Sequence, residues 1–517
     1  MDVADLMELI PLLLTLALAL LLRRTLIALG AGVVLGALIL NDFSPLTSLN
    51  YLFDTLTELF YQQNQWRWWH LNVLFAMLLL GVMTSLLGRS GAVDEFGHWL
   101  SARVQSRRQA RMGIIGLGFL VFIDGIFSCL AVGSVGRPIA RQYGISPAQL
   151  SYMVDTTASP LCSLVPVASW GPYVMALLAG ISFLPVSALD AFITIASVNF
   201  YAVSALVLVG VGSLFNWGWS AKVDDASNLE ASPIDSGYQQ TPSLKTASPW
   251  PLLLPLLGLL VGALLFTLAS GASLAKEPGM AAWLAAADVG AAMRNASLTA
   301  VVLAALMALW SDRGRGQGRG RGMHPLIIDM LVGLRSMSLA VGILLLTWMI
   351  GALIKDLGSG ARISALANDL LSPSLLLAGI FALCAIMAFA TGTSWGTFAI
   401  MIPLCAQVAQ GLAPELLLPA LAAVMAGSVF GDHCSPISDT SILSATASGA
   451  SVHEHVTTQL PFALIAAIAA LCGFQLLNLG ASSPVAWTLT LLTGIGLLWL
   501  WQSKCASGNL LKQDGQA

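Results

Sequence analysis

Apolar stretches of bilayer-crossing length recur along the whole chain, from residues 6–22 to residues 486–501. A hydrocarbon core about 30 Å thick takes about 20 residues of helix, and a helix satisfies its own backbone groups inside hydrocarbon. A chain of 517 residues has room for about 11–13 such transmembrane segments. Charge points the same way, because only 9% of the residues are charged against about 25% in soluble domains. So few charges cannot cover a water-facing surface, which excludes a soluble enzyme. The expected fold is an all-α polytopic membrane protein, and 48 Gly and 22 Pro suit close helix contacts and broken helices. A net charge of −3 gives no pull toward nucleic acid. The seven cysteines form no CxxC pair, so neither a disulfide frame nor a metal centre is expected. Asp2, Asp5 and Glu8 lead straight into the first apolar stretch with no small-residue cleavage site, so that span is read as retained. The chain is expected to be multi-pass in the cell inner membrane.

Residues 112–135 carry Asp124 near their centre and are flanked by Arg103, Arg107, Arg108 and Arg111 before and Arg137 and Arg141 after. Positive residues mark cytoplasmic loops, so both flanks lie inside and the run is a re-entrant hairpin. Counting onward leaves Arg67, Lys276, Arg294, Lys355 and Arg362 outside and the other 18 of 23 basic residues inside. The arginine–glycine tract at 313–322 resembles an RNA-binding segment but reads as an inside-facing loop. Residues 50–69, ending in Trp66, Trp68 and Trp69, read as an interfacial helix with an aromatic belt. The expected division is N-terminal helices 1–111, a first repeat core 112–215 and a linker 216–250, then scaffold helices 251–372, a second repeat core 373–479 and a last helix and tail 480–517.

The two cores share a pattern. Phe122-Ile123-Asp124-Gly125 precedes Asp155-Thr156-Thr157-Ala158-Ser159-Pro160, and Ala390-Thr391-Gly392-Thr393 precedes Gly431-Asp432-His433-Cys434-Ser435-Pro436 at similar distance. Each core also holds a Ser-Trp-Gly, at Ser169 and Ser394. Two inverted repeats, each with a re-entrant hairpin and a broken helix, would give this order and place the site where the breaks meet at mid-membrane.

A carboxylate at mid-bilayer costs about 2.5–3.5 kcal/mol, so Asp124, Asp155, Asp432 and Asp439 each need a reason to be there. Pro436 would break a helix between Asp432 and Asp439 and free backbone carbonyls. Those carbonyls, with Ser435, Ser438, Thr440 and one or two carboxylates, are the oxygen ligands a hard cation takes. A carboxylate out of water also takes up a proton more readily, and competition between proton and cation for one acid is the least chemistry that antiport requires. In the first core, Asp124, Asp155, Thr156 and Ser159 are candidates, with Arg137 as an alternative partner for both acids. Thr391, Thr393, Ser394 and Thr397 at the second hairpin tip are either ion ligands or bonded to helix backbone. His433 is either a pH-tuning group or structural, His453-Glu454-His455 reads as a solvated turn, and Asp190 and Glu415 read as helix caps.

Residues 427–444 (GSVFGDHCSPISDTSILS) with His455-Val456-Thr457-Thr458-Gln459-Leu460-Pro461 resemble the signature of the NhaC-type sodium/proton antiporter family, within the ion transporter superfamily. Gly133, Arg137-Pro138-Ile139, Asp155 to Pro160 and Ser169-Trp170 extend the resemblance over the first core. It implies a secondary active antiporter exchanging Na+ for H+, a homodimer with a moving transport domain, and no cofactor beyond the transported ions. The alternative within the resemblance is exchange of a small carboxylate of the malate/lactate type or of an amino acid. The chain departs from the family in the first hairpin, where Gly125 and Ser128 stand in place of a second Asp and an Asn. A membrane aspartyl protease would need Gly-x-Gly-Asp, and Val429-Phe430-Gly431-Asp432 lacks the first Gly. A channel would differ in showing no saturable, counter-ion-dependent exchange.

Overall fold

The computed structural model describes residues 3–22, 24–218, 247–314, 323–359, 362–363, 365 and 372–513. Most of the linker at 216–250 and of the basic tract at 313–322 lies outside these residues. Helices α1 (Val3–Leu22) and α2 (Thr25–Leu40) pack as a pair, and α3 (Pro45–Glu58) follows with Pro45 in its first turn. The interfacial helix expected over 50–69 stops at Glu58, because Tyr61–Gln62 and Gln65–Trp66 form a small antiparallel hairpin pairing Tyr61 with Trp66. Its turn residues Gln63 and Asn64 both have positive φ, at 52° and 59°, as a two-residue hairpin turn requires. After it come α4 (Trp68–Arg89) and α5 (Ala92–Ser101).

Helices α6 (Arg107–Leu120) and α7 (Gly125–Gln142) form the first hairpin. Its turn is fixed by Asp124, whose Oδ1 accepts the Phe127 N–H at 3.0 Å and so caps α7. Next, α8 (Pro147–Thr156) ends at a break and resumes as the single turn α9 (Ser159–Cys162), followed by α10 (Trp170–Ala179). The apolar run at 191–215, a single stretch in sequence, is bent by 48° between α11 (Ala188–Ser197) and α12 (Phe200–Phe215). Asn199 causes the bend by capping α12, its Oδ1 accepting from the Ala202 N–H at 3.1 Å.

The middle of the chain holds α13 (Trp250–Leu274), α14 (Met280–Ala286), α15 (Val289–Gly314), α16 (Met323–Ser336) and α17 (Ser338–Asp356). The sequence pattern begins this last run at residue 337 and so misses α16, whose His324, Pro325, Asp329 and Arg335 dilute its apolar face.

The second core repeats the order of the first. Hairpin helices α18 (Leu376–Thr391) and α19 (Ser394–Leu412) turn at Gly392, which takes φ 68°. Helix α20 (Leu417–Cys434) then breaks at Ser435–Ser438, with Pro436 in the gap, and continues as α21 (Asp439–Ser448). Gly427 and Gly431 let α20 lie directly on α18, since a methyl at either would overlap the carbonyls of Phe381 and Ala385. The chain ends with α22 (Val452–Asn478) and α23 (Ser483–Gln513). Among the described residues nine helices are long and apolar enough to cross a membrane, ten with the bent pair, and three shorter apolar helices accompany them.

Candidate functional site

The breaks of α8–α9 and α20–α21 meet. Thr156 Oγ1 lies 3.2 Å from His433 Nε2, Ser159 Oγ lies 3.2 Å from Thr440 Oγ1, and Ser441 Oγ donates to Asp155 Oδ2 at 3.3 Å. The tips of both hairpins close around the same place. A Cβ on Gly125 would meet Thr440 Cγ2 at 3.5 Å and Ser159 Oγ at 3.8 Å, and Gly392 packs directly on the backbone of Ile437.

Two carboxylates occupy this junction in different company. Among the described residues Asp432 is met by hydroxyls alone: Ser438 Oγ donates to Oδ1 at 2.6 Å and Ser394 Oγ lies 2.9 Å from Oδ2. Ser438 continues to Thr440 at 3.1 Å, so a chain of hydroxyls runs from Asp432 across to Ser159. Helix α20 places Asp432 in its last turn, and the break turns Ser438 back onto it. Asp155, fully buried, is met by nitrogen as well as by the Ser441 hydroxyl: Oδ2 accepts from His455 Nε2 at 3.0 Å and from Gln459 Nε2 at 2.8 Å. Gln459 also donates to the His433 carbonyl, which joins the two acids through one side chain. His433 is held between Thr156 and Tyr201, whose hydroxyl lies 2.7 Å from Nδ1.

The other expected residues fall in three positions. Asp124 stays beside the first turn, taking Ser169 Oγ at 2.9 Å. Ser435 ties the break to the second hairpin through the Phe389 carbonyl at 2.8 Å, and Thr391 bonds the Met387 carbonyl of its own helix. Thr393 is half-buried at the start of α19, and its carbonyl accepts from Thr397. Asp439 is exposed in the first turn of α21, outside the buried cluster that its neighbours Ser438 and Thr440 enter. Arg137, the alternative partner for Asp124 and Asp155, has its guanidinium against Gly449.

Sequence reasoning missed His455, Gln459 and Tyr201. His453-Glu454-His455 is not the expected solvated turn: Ser451 and Glu454 form a capping box that starts α22 there. The helix therefore turns His455 inward, fully buried, while His453 stays exposed. The available signal was spacing, since His455, Gln459 and Phe462 fall at i, i+4 and i+7 on one helix face.

A cavity of about 370 Å³ opens beside Asp124 between α4, α5, α7 and α16. Its polar lining includes Thr84, Ser85, Ser134, Ser336 and two carboxylates, Asp94 and Asp124, against one guanidinium. That guanidinium, Arg89, is paired with Asp329 at 2.5 Å. No group of three or more His, Cys, Asp or Glu side chains that could hold a metal ion occurs among the described residues. Around Asp432 the junction instead gathers one carboxylate and several neutral oxygens, the donor type that hard cations take.

The chain is 33% identical over 95% of its length to an uncharacterised protein of Haemophilus influenzae, covering 94% of that protein. A shorter stretch of 121 residues, 23% of this chain and 24% of the relative, is 34% identical to the malate-2H(+)/Na(+)-lactate antiporter of Bacillus subtilis. A further stretch of 133 residues, 25% of this chain and 27% of the relative, is 34% identical to an uncharacterised Na(+)/H(+) antiporter of Haemophilus influenzae. The crystal structure of the Alcanivorax borkumensis YdaH transporter superposes with a TM-score of 0.51 at 17% identity, over 84% of this chain and 89% of that one. The profile of the Na+/H+ antiporter family matches residues 161–479, which include the whole second core, so this multi-pass membrane chain belongs to the Na+/H+ antiporter family.

Proposed function

We propose that the chain is a secondary active antiporter of the cell inner membrane that exchanges Na+ for H+, with cation and proton competing for the buried carboxylate cluster at the junction of the broken helices. One observation carries this reading: Asp432, at the break of a membrane-length helix, is lined by the hydroxyls of Ser394 and Ser438 and, beyond them, of Thr440 and Ser159. Hydroxyl and carboxylate oxygens replace the water shell of a hard cation, and a carboxylate supplies the charge that makes entry into the membrane favourable. The same acid can be neutralised by a proton when the cation leaves.

Exchange of a small organic acid is the second reading, favoured by the local likeness to the malate-2H(+)/Na(+)-lactate antiporter. The charge of the cavity beside Asp124 argues against an anion there, because two carboxylates face one guanidinium that is itself paired. Proteoliposomes with Na+ and pH gradients imposed separately decide between them. Na+ addition should dequench an internal pH dye in a saturable way, and labelled malate or lactate should not accumulate. Uptake of the acid with no Na+-driven pH change would overturn the Na+/H+ reading.

A further inference from the structure

Around Asp155 three buried polar atoms have no hydrogen-bond partner among the described residues: Asp155 Oδ1, Gln459 Oε1 and His455 Nδ1. All three belong to side chains that are fully buried and joined to one another through Asp155 Oδ2. An unpaired buried polar atom costs about 1–3 kcal/mol, so three on one network call for something that fills them in part of the working cycle.

The histidine shows what that is. Its Nε2 faces the carboxylate at 3.0 Å and donates to it. In the neutral ring the other nitrogen then carries a lone pair and no proton. His455 Nδ1 is thus an open basic position on a ring already anchored to a carboxylate. Among the described residues Asp432 has no nitrogen donor, whereas Asp155 Oδ2 takes two beside the Ser441 hydroxyl. N–H donors aimed at an oxygen repel a metal cation and welcome a proton-carrying partner.

We propose that the exchanged proton resides on His455, held by Asp155 and Gln459, while the cation resides at Asp432, so that the two occupy separate sites in one buried cluster. This rests on the exchange reading above and narrows it: the proton which that reading allows on the acid itself is placed on His455, so competition acts through charge and not through a shared oxygen. With His455 protonated and Asp155 ionised the pair is neutral, and the cluster carries only the charge of Asp432. When Na+ enters at Asp432 and the proton leaves Nδ1, the net charge of the cluster is unchanged. A second uncompensated charge in a buried site would be costly, and this one-for-one replacement avoids it. Gln459, bonded to both Asp155 and the His433 carbonyl beside Asp432, couples the geometry of the two sites.

Other titratable groups also face this pair. Cys129 comes from α7, Tyr152 from α8, Tyr201 from α12, and Asp432, His433 and Cys434 from α20. Phenols and thiols are both neutral in their main form at the working pH, with ordinary values of about 10 and about 8.5. His433 has both ring nitrogens engaged, by Thr156 and Tyr201. His455 is the imidazole with a vacant nitrogen in this cluster.

The test uses the full chain in detergent under weak buffering at pH 7.5, with 22Na+ binding and proton release to a pH dye measured in parallel. The wild type should release protons as it binds Na+. His455→Gln, whose amide N–H can still reach Asp155, should bind Na+ within about threefold of wild type and release at least fivefold fewer protons per Na+. Asp432→Asn should lose Na+ affinity at least tenfold. Should His455→Gln fail to fold, Asp155→Asn removes the anion that holds the imidazolium and should show the same loss of proton release. Proton release per Na+ equal to wild type in either variant overturns the inference and leaves exchange intact. A wild-type chain that binds no Na+, or binds it without releasing protons, overturns the exchange reading and this inference with it.

Discussion

Ser159 Oγ and Thr440 Oγ1 stand 3.2 Å apart, although 281 residues separate them in sequence. The pair is where one broken helix touches the other, and it continues through Ser438 to Asp432. If this hydroxyl chain supplies cation ligands, Thr440→Val keeps the shape of the side chain and removes one oxygen. Loss of a hydrogen bond or ligand of this kind is worth about 1.5 kcal/mol, or about tenfold in Kd. Na+ affinity measured by 22Na+ binding should therefore fall about tenfold, alongside a modest drop in melting temperature from the buried Ser159 hydroxyl that loses its partner. Unchanged affinity would remove Thr440 from the site.

The helix on which Asp432 sits is fixed by contact with the second hairpin. Gly431 faces the Ala385 carbonyl with no room for a methyl, and the obstacle is backbone. Overpacking of this kind costs about 1–3 kcal/mol. Gly431→Ala should lower the melting temperature of the purified chain by several degrees, whereas Gly379→Ala on α18, where a Cβ meets nothing within 4 Å, should leave it within about one degree. Equal stability of the two variants would contradict the close packing of α18 on α20.

Much of this architecture is legible in sequence because the departures from apolarity are local and chemically marked. Asp124 and the Thr391-Gly392-Thr393 run mark the hairpin turns, and Pro436 between Asp432 and Asp439 marks the break, because polar residues gather there inside apolar runs, whereas isolated prolines such as Pro403 and Pro461 sit within continuous helices. Asp432 with Ser438 is likewise readable as a carboxylate and hydroxyl on the two sides of a proline. What sequence hides is the direction a helix presents once its start is displaced. A capping box at Ser451 rotates His455 into the core, and Asp439, one residue beyond Ser438, is rotated out. The bend at Asn199 and helix α16 escaped for a related reason: one polar residue does not visibly interrupt the apolar run at 191–215, and His324, Asp329 and Arg335 interrupt the apolar residues of α16.

Tyr201 is an example of a residue with no sequence signal, an aromatic side chain in an apolar run whose hydroxyl reaches His433 Nδ1 at 2.7 Å. Tyr201→Phe removes that partner and leaves a buried ring nitrogen unpaired, at a cost of about 1–3 kcal/mol. The expected outcome is a lower melting temperature, together with a shift in the pH dependence of exchange, because the ring that orients Thr156 loses its anchor. A purely space-filling Tyr201 would lower stability without moving the pH profile, and measuring both on the same preparation separates the two.

Gly125 offers a gain-of-function test, because it is one of the two positions, with Ser128, at which the first hairpin departs from the family resemblance. Its Cα lies at the first hairpin tip beside Thr440 and Ser159, and a Cβ built there makes only ordinary contacts at 3.5 and 3.8 Å. The residue is the first of α7, where an acid is favoured by the helix dipole. Gly125→Asp should therefore fold and place a further carboxylate at the hydroxyl chain that leads to Asp432. A second negative charge near a bound cation strengthens its binding and resists its loss to a proton. Na+ affinity should rise severalfold at pH 8, and the gain should shrink as pH falls and the added acid takes up a proton. A loss of affinity at every pH, with the melting temperature preserved, would show that the cation does not approach this tip.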